Sequence, residues 1–144
     1  YILTGRTITQ HDAETRTVPP RYDAAKIALD FADRQDLYDR IDRRVELMVR
    51  QGLFDEVRAL LAAGVPADCT AMQAIGYKEF FPYFEGTANL TECTERLKQA
   101  TRNYAKRQLT WFRRQNDAVW LYLDEEDVTE RACTLVRAFL HNEE

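Results

Sequence analysis

Two short apolar runs, Lys26 to Phe31 (KIALDF) and Ala118 to Leu123 (AVWLYL), lie more than 80 residues apart with mostly helical patterning between them. Each run reads as a buried strand. Their separation excludes a hairpin, which closes over a few residues. Two isolated strands also bury too little surface to form a stable sheet. The pattern therefore predicts an α/β architecture: a mostly helical portion contributing about two strands to a larger parallel sheet, whose other strands are expected upstream of Tyr1.

Between the strands the helices are well marked. Asp33 is placed to cap a helix running to about Gln51, with Leu37, Ile41, Val45 and Met48 as its apolar stripe and Gly52 as its stop. Leu53 to Ala63 forms a second helix, capped by Gly64, and 65–68 is a loop. Ala71 to Gly86 reads as two short helical segments interrupted at Gly76, with Phe80, Phe81, Tyr83 and Phe84 mostly in the core. Asn89 or Thr91 caps the longest helix, and Glu92 stands in capping-box spacing to Asn89. Unbroken from Leu90 to Arg114, that helix would be about 36 Å long. After the second strand, the acidic turn DEED leads into a last amphipathic helix, Val128 to Leu140. At the other end, Tyr1 to Thr4 reads as a final helical turn capped by Gly5, and residues 6–22 as a polar loop with an extended kink at Pro19-Pro20. The expected organisation is a single portion: loop 6–22, helical region 33–114, then strand and last helix 118–140.

With 144 residues, 45% hydrophobic and 31% charged, this is one domain's worth of ordinary globular chain. No apolar run approaches the ~20 residues of a membrane span, and no secretory signal pattern is present. Cys69, Cys93 and Cys133 are widely spaced, which argues against a disulfide framework and for a reducing compartment. His11 and His141 lack ligand spacing, so a zinc site is not expected.

Against a net charge of -4, the stretch Thr101 to Arg114 (TRNYAKRQLTWFRR) carries five cations and no acid. On a helix, Arg102, Lys106 and Arg113 share one ridge and Arg107 and Arg114 another, while Leu97, Ala100, Tyr104 and Trp111 form an arc expected to pack inward. Cations in fixed register suit a phosphate backbone. By charge alone, a solvated helix paired to acids elsewhere fits equally well. Trp111 and Phe112 could stack on bases, although aromatics at helical spacing are more often core. The arginines of the first long helix, Arg40, Arg43, Arg44 and Arg50, mostly read as a solvated face beside Asp39, Asp42 and Glu46. Gly76 is either a hinge or a point of close backbone approach.

Three stretches occur in order: YDRIDRRVELMVRQGLFDEV from Tyr38, AMQAIGYKEFFPYFEG from Ala71, and TRNYAKRQLTWFRR from Thr101. Together they resemble the bacterial tRNA dimethylallyltransferases (tRNA isopentenyltransferases), and the resemblance covers nearly the whole chain. It implies a P-loop NTPase-like fold with helical additions, of which this chain is the C-terminal portion without the N-terminal P-loop segment. It also implies transfer of a dimethylallyl group from dimethylallyl diphosphate to N6 of adenosine 37, beside the tRNA anticodon. Arg44 matches the arginine that holds the donor diphosphate. Gln73, Ala74, Ile75, Gly76, Tyr77 and Lys78, with Arg102, Lys106, Arg107, Gln108, Thr110, Trp111 and Arg113, match positions that contact the tRNA anticodon arm.

The same resemblance implies Mg2+, with ligands outside this chain, a cytoplasmic enzyme that is monomeric at full length, and dependence on the missing N-terminal part. None of the five glycines begins a G-x-x-x-x-G-K-[ST] loop. No catalytic residue is assigned here, and the chain alone is expected to be inactive. A second reading, a non-catalytic RNA-binding helical domain, requires the two strands to pair with each other and the chain to begin at YILTG.

Overall fold

The computed structural model describes residues 5, 7–17, 22–115 and 117–141. The two apolar runs pair directly: β1 (Lys26–Asp30) lies parallel to β2 (Ala118–Tyr122), in register from Lys26 opposite Ala118 to Asp30 opposite Tyr122. Leu123 N–H donates to the Asp30 carbonyl at 2.8 Å and extends the ladder. Pairing within the chain is what the second reading required, so the strands alone do not separate the two readings. Neither strand is buried on both faces, which corrects the expectation. β1 buries Ala28 and Asp30 but exposes Leu29, and β2 buries Leu121 but exposes Val119. Against the sheet lie α6 (Val128–His141), which packs on β2, and Arg113, which reaches Asp30.

The crossover between the strands is helical. α2 (Arg34–Arg50) starts at Asp33, whose carboxylate accepts from Gln35 N–H at 2.8 Å. α3 (Leu53–Ala62) follows through Gly52 at φ +103°, a left-handed conformation that favours glycine. A 3-10 turn (Lys78–Phe80) runs into the four-residue α4 (Phe81–Phe84). α5 (Leu90–Phe112) opens with a reciprocal capping box: Asn89 Oδ1 accepts from Glu92 N–H, and Glu92 Oε2 accepts from Asn89 N–H, both at 2.9 Å. That resolves the Asn89-or-Thr91 alternative.

The core sits where α2, α3, the 3-10 turn and the first half of α5 meet. Val45, Val57, Met72, Phe80, Cys93 and Leu97 form one buried cluster. Phe54 touches it, with its ring 5.7 Å from Phe80, stacked 5.3 Å from Phe84 and edge-on at 4.9 Å to Tyr83, which stays partly exposed.

Two further expectations are corrected. Residues 8–17 of the supposed loop 6–22 form helix α1 (Ile8–Thr17). Its start is a capping box: Gln10 N–H donates to Thr7 Oγ1 at 3.2 Å, and Thr7 N–H donates to Gln10 Oε1 at 3.0 Å. The T-x-x-Q spelling carries that signal, but no apolar stripe follows it to suggest a helix. Tyr104 and Trp111, expected to pack inward, are 47% and 57% exposed. All of the buried residues of α5 (Cys93, Leu97 and Lys98) fall in its first half, while the second half borders open cleft and surface. The proposed helix end at Tyr1–Thr4 and the Pro19-Pro20 kink lie outside the described residues.

Candidate functional site

Helices α2 and α5 are clamped by two ion pairs between them. Glu46 Oε1 accepts from Lys98 Nζ at 2.9 Å, and Arg102 Nη1 reaches both carboxylate oxygens of Asp42 at 2.6 Å. The contact with Lys98 holds the Glu46 carboxyl below its ordinary range. Glu95 and then Glu46, both accepting from Lys98, hold that ammonium above its ordinary range. Beyond the clamp the helices border a cleft of about 570 Å³ at the carboxyl ends of the two strands. Ligands commonly bind at that end of parallel strands. The α2 wall carries Leu37, Arg40, Ile41, Arg44, Val45 and Met48, which fall on one helical face. The α5 wall includes Tyr104, Gln108 and Phe112, and the strand ends contribute Asp30 and Leu123.

The strand-end side of the cleft is held by charged groups. Asp30, at the end of β1, is buried; its Oδ1 accepts from Phe31 N–H at 2.9 Å and its Oδ2 from Arg113 Nη2 at 3.2 Å. The Arg113 guanidinium also lies 5.9 Å from the centre of the Trp120 ring. Just past β2, the Asp124 carboxylate accepts from Ala32 N–H at 2.9 Å and more weakly from Asp33 N–H. These bonds to backbone hold the Asp124 carboxyl below its usual value.

The outer side of the second half of α5 has a different character. Lys106, Arg107, Thr110, Trp111 and Arg114 surround a shallow depression of about 340 Å³. Arg107 lies 5.6 Å over the Tyr104 ring, and Trp111 meets Phe112 edge-on at 5.0 Å. None of these cations takes part in an ion pair among the described residues. A cationic surface with an exposed indole suits a phosphate backbone and a stacked base.

The thirteen residues expected to face tRNA therefore divide. Lys106, Arg107, Thr110 and Trp111 come together. Gln108 and Ile75 line the cleft with Arg44. Arg102 and Arg113 are held in ion pairs with Asp42 and Asp30. Gln73, Ala74, Gly76, Tyr77 and Lys78 border neither feature. Gln73 Nε2 donates to the Ala67 carbonyl at 2.8 Å, and the Tyr77 hydroxyl donates to Glu56, which raises the Tyr77 pKa above the ordinary phenol value. Gly76 adopts φ +112° and its N–H donates to Glu79 Oε2 at 2.8 Å, but an added Cβ would meet nothing within 4 Å. Its glycine is required by conformation rather than by close approach. Arg114 belongs to the exposed face although only its place on the Arg107 ridge marked it in the sequence.

Among the described residues no group of three or more His, Cys, Asp or Glu could hold a metal ion. None of the helices is long and apolar enough to cross a membrane, again among the described residues.

Comparison with known proteins places the chain. The family model described as IPP transferase matches residues 1–115. A tRNA dimethylallyltransferase of Lactobacillus gasseri is 45% identical over 139 residues, which is 96% of this chain and 44% of that protein. One of Acetivibrio thermocellus is 41% identical over 140 residues, covering 97% and 44%. The crystal structure of a tRNA delta(2)-isopentenylpyrophosphate transferase from Staphylococcus epidermidis superposes with a TM-score of 0.77 at 32% identity, covering 99% of this chain and 45% of that one. The chain thus spans less than half the length of these relatives. The chain belongs to the IPP transferase family, that of the tRNA dimethylallyltransferases.

Proposed function

We propose that this chain supplies the RNA grip and part of the donor-diphosphate site of a tRNA dimethylallyltransferase. One juxtaposition carries the reading: a single helix, α5, presents unpaired cations and an exposed indole on one side and lines an arginine-bearing apolar cleft on the other. In the proposed reaction, N6 of adenosine 37 attacks C1 of dimethylallyl diphosphate. The C–O bond to the diphosphate breaks and the amine loses a proton. Lys106, Arg107 and Arg114 bind backbone phosphates of the anticodon arm, and Trp111 stacks on a base. The target adenine leaves its stack to reach the cleft. Arg44 stabilises the departing diphosphate, and the apolar wall accepts the prenyl tail. Magnesium, as the family implies it, would neutralise the leaving group, but its ligands are not placed in this chain. A cytoplasmic location fits three free cysteines.

The test is binding of the 144-residue chain to an anticodon stem-loop, followed by fluorescence anisotropy at two salt concentrations. Salt-sensitive binding that is abolished by changing Lys106, Arg107 and Arg114 to Glu is expected. Binding that survives the triple change would remove α5 from the interface. The second reading, an RNA-binding domain without an enzymatic role, predicts the same RNA result but no affinity for diphosphate in the cleft.

A further inference from the structure

We infer that Arg40 is a second diphosphate-binding residue, forming with Arg44 a two-arginine clamp at the cleft. This inference rests on the donor reading of the cleft and adds to it a residue that the sequence placed only on a solvated face. Arg40 and Arg44 lie one turn apart on α2, and both line the cleft. The Arg40 guanidinium is 5.9 Å from the centre of the Phe31 ring, which is itself part of the cleft wall.

Cations four residues apart on a helix repel each other, and acidic neighbours normally relieve that repulsion. Here no acid of the helix forms an ion pair with either arginine among the described residues. Asp42 is taken by Arg102 and Glu46 by Lys98, Asp39 accepts from Gln35 Nε2 at 2.8 Å, and Asp36, one turn before Arg40, does not line the cleft. Arg40 and Arg44 are left without an ion pair among the described residues. Asp30, the carboxylate that shares the cleft, has its charge met by Arg113. Within the cleft lining, two guanidinium groups without an ion pair stand beside an apolar wall, and the one carboxylate among the lining residues is already met by Arg113. That balance matches a ligand carrying two linked phosphates and a hydrocarbon tail. A guanidinium offers each phosphate a planar fork, so two of them one turn apart can hold both phosphates at once.

The test is calorimetric titration of the 144-residue chain with inorganic pyrophosphate and with dimethylallyl diphosphate, the fold of each variant being checked by circular dichroism. Arg40→Ala and Arg44→Ala are each expected to weaken pyrophosphate binding about tenfold. Arg40→Lys keeps charge and helix propensity but loses the fork, and should recover only part of the loss. Arg43→Ala, one residue away and outside the cleft, should bind as the unaltered chain does. If Arg44→Ala weakens binding while Arg40→Ala does not, the clamp is overturned and the donor reading survives on Arg44 alone. If Arg43→Ala weakens binding as much as Arg40→Ala, the effect is general charge and the clamp is likewise overturned. If neither cleft arginine matters, or the unaltered chain does not bind pyrophosphate, the donor reading falls together with the clamp.

Discussion

Arg113, which the sequence groups with the RNA-facing cations, donates from Nη2 to the buried carboxylate of Asp30 at 3.2 Å. The next residue, Arg114, borders the exposed depression instead. Adjacent arginines therefore have separable roles. Arg113→Ala leaves a buried carboxylate without its charged partner and is expected to lower stability by about 1–2 kcal/mol in urea unfolding. Arg114→Ala should stay within about 0.5 kcal/mol of the unaltered chain and weaken stem-loop binding instead. The reverse pattern would exchange the two assignments.

The Glu46–Lys98 contact gives stability a dependence on pH at both ends. The Glu46 carboxyl is held below its usual 4.5, so its contribution is complete above that value and is lost as pH falls through the lower folded value. Lys98 is held above its usual 10.5, so its contribution is complete below that value and is lost as pH rises through the higher folded one. Glu46→Gln should make the acid-side loss of stability shallower in unfolding curves taken from pH 7 down to about 3. An unchanged acid limb would mean the pair contributes nothing in solution.

At the start of α5, Asn89→Ala is expected to cost about 1 kcal/mol, because it removes the acceptor of the capping box. Thr91→Ala, one position inside the helix, should lie close to neutral. Thermal unfolding of the two variants compares them directly, and equal shifts would show that the box is not formed.

Gly76→Ala tests conformation separately from crowding. Nothing lies within 4 Å of the position an added Cβ would take, while the backbone sits at φ +112°. The expected loss of about 1–3 kcal/mol is therefore backbone strain alone, and a Gly76→Asn variant should recover part of it. A neutral Gly76→Ala would mean that the turn relaxes.

Incubation of the chain with dimethylallyl diphosphate, magnesium and tRNA is expected to yield no prenylated adenosine, since no catalytic base is assigned to it. Turnover above background, read by mass spectrometry of digested tRNA, would place a base among these residues.

The sequence was most informative where structure is local. Asp33 and Asn89 cap their helices as their spacing indicates, and the stripe from Leu37 to Met48 lines one side of the cleft. It was least informative where a side chain's partner comes from a distant element. Nothing in the spacing of Arg102 reveals Asp42, 60 residues earlier, nor does Arg113 reveal Asp30. Helical periodicity put Tyr104 and Trp111 inward because it identifies a face without saying whether anything lies opposite it. The exposed cations Lys106 and Arg107 were legible as charge, but their being unpaired was not, since that depends on which acids the fold brings near.

The family match ends at residue 115, yet the parallel partner of β1 begins at Ala118. Asp124, further still, accepts from the backbone N–H groups of Ala32 and Asp33 that lead into α2. A protein trimmed to the matched region would keep every cation discussed above but lose the strand and the carboxylate that seat the Arg40 and Arg44 helix. Residues 117–141 thus act as an internal jig for the cleft, and expression boundaries or chimaeras should be drawn beyond α6, not at the edge of sequence similarity.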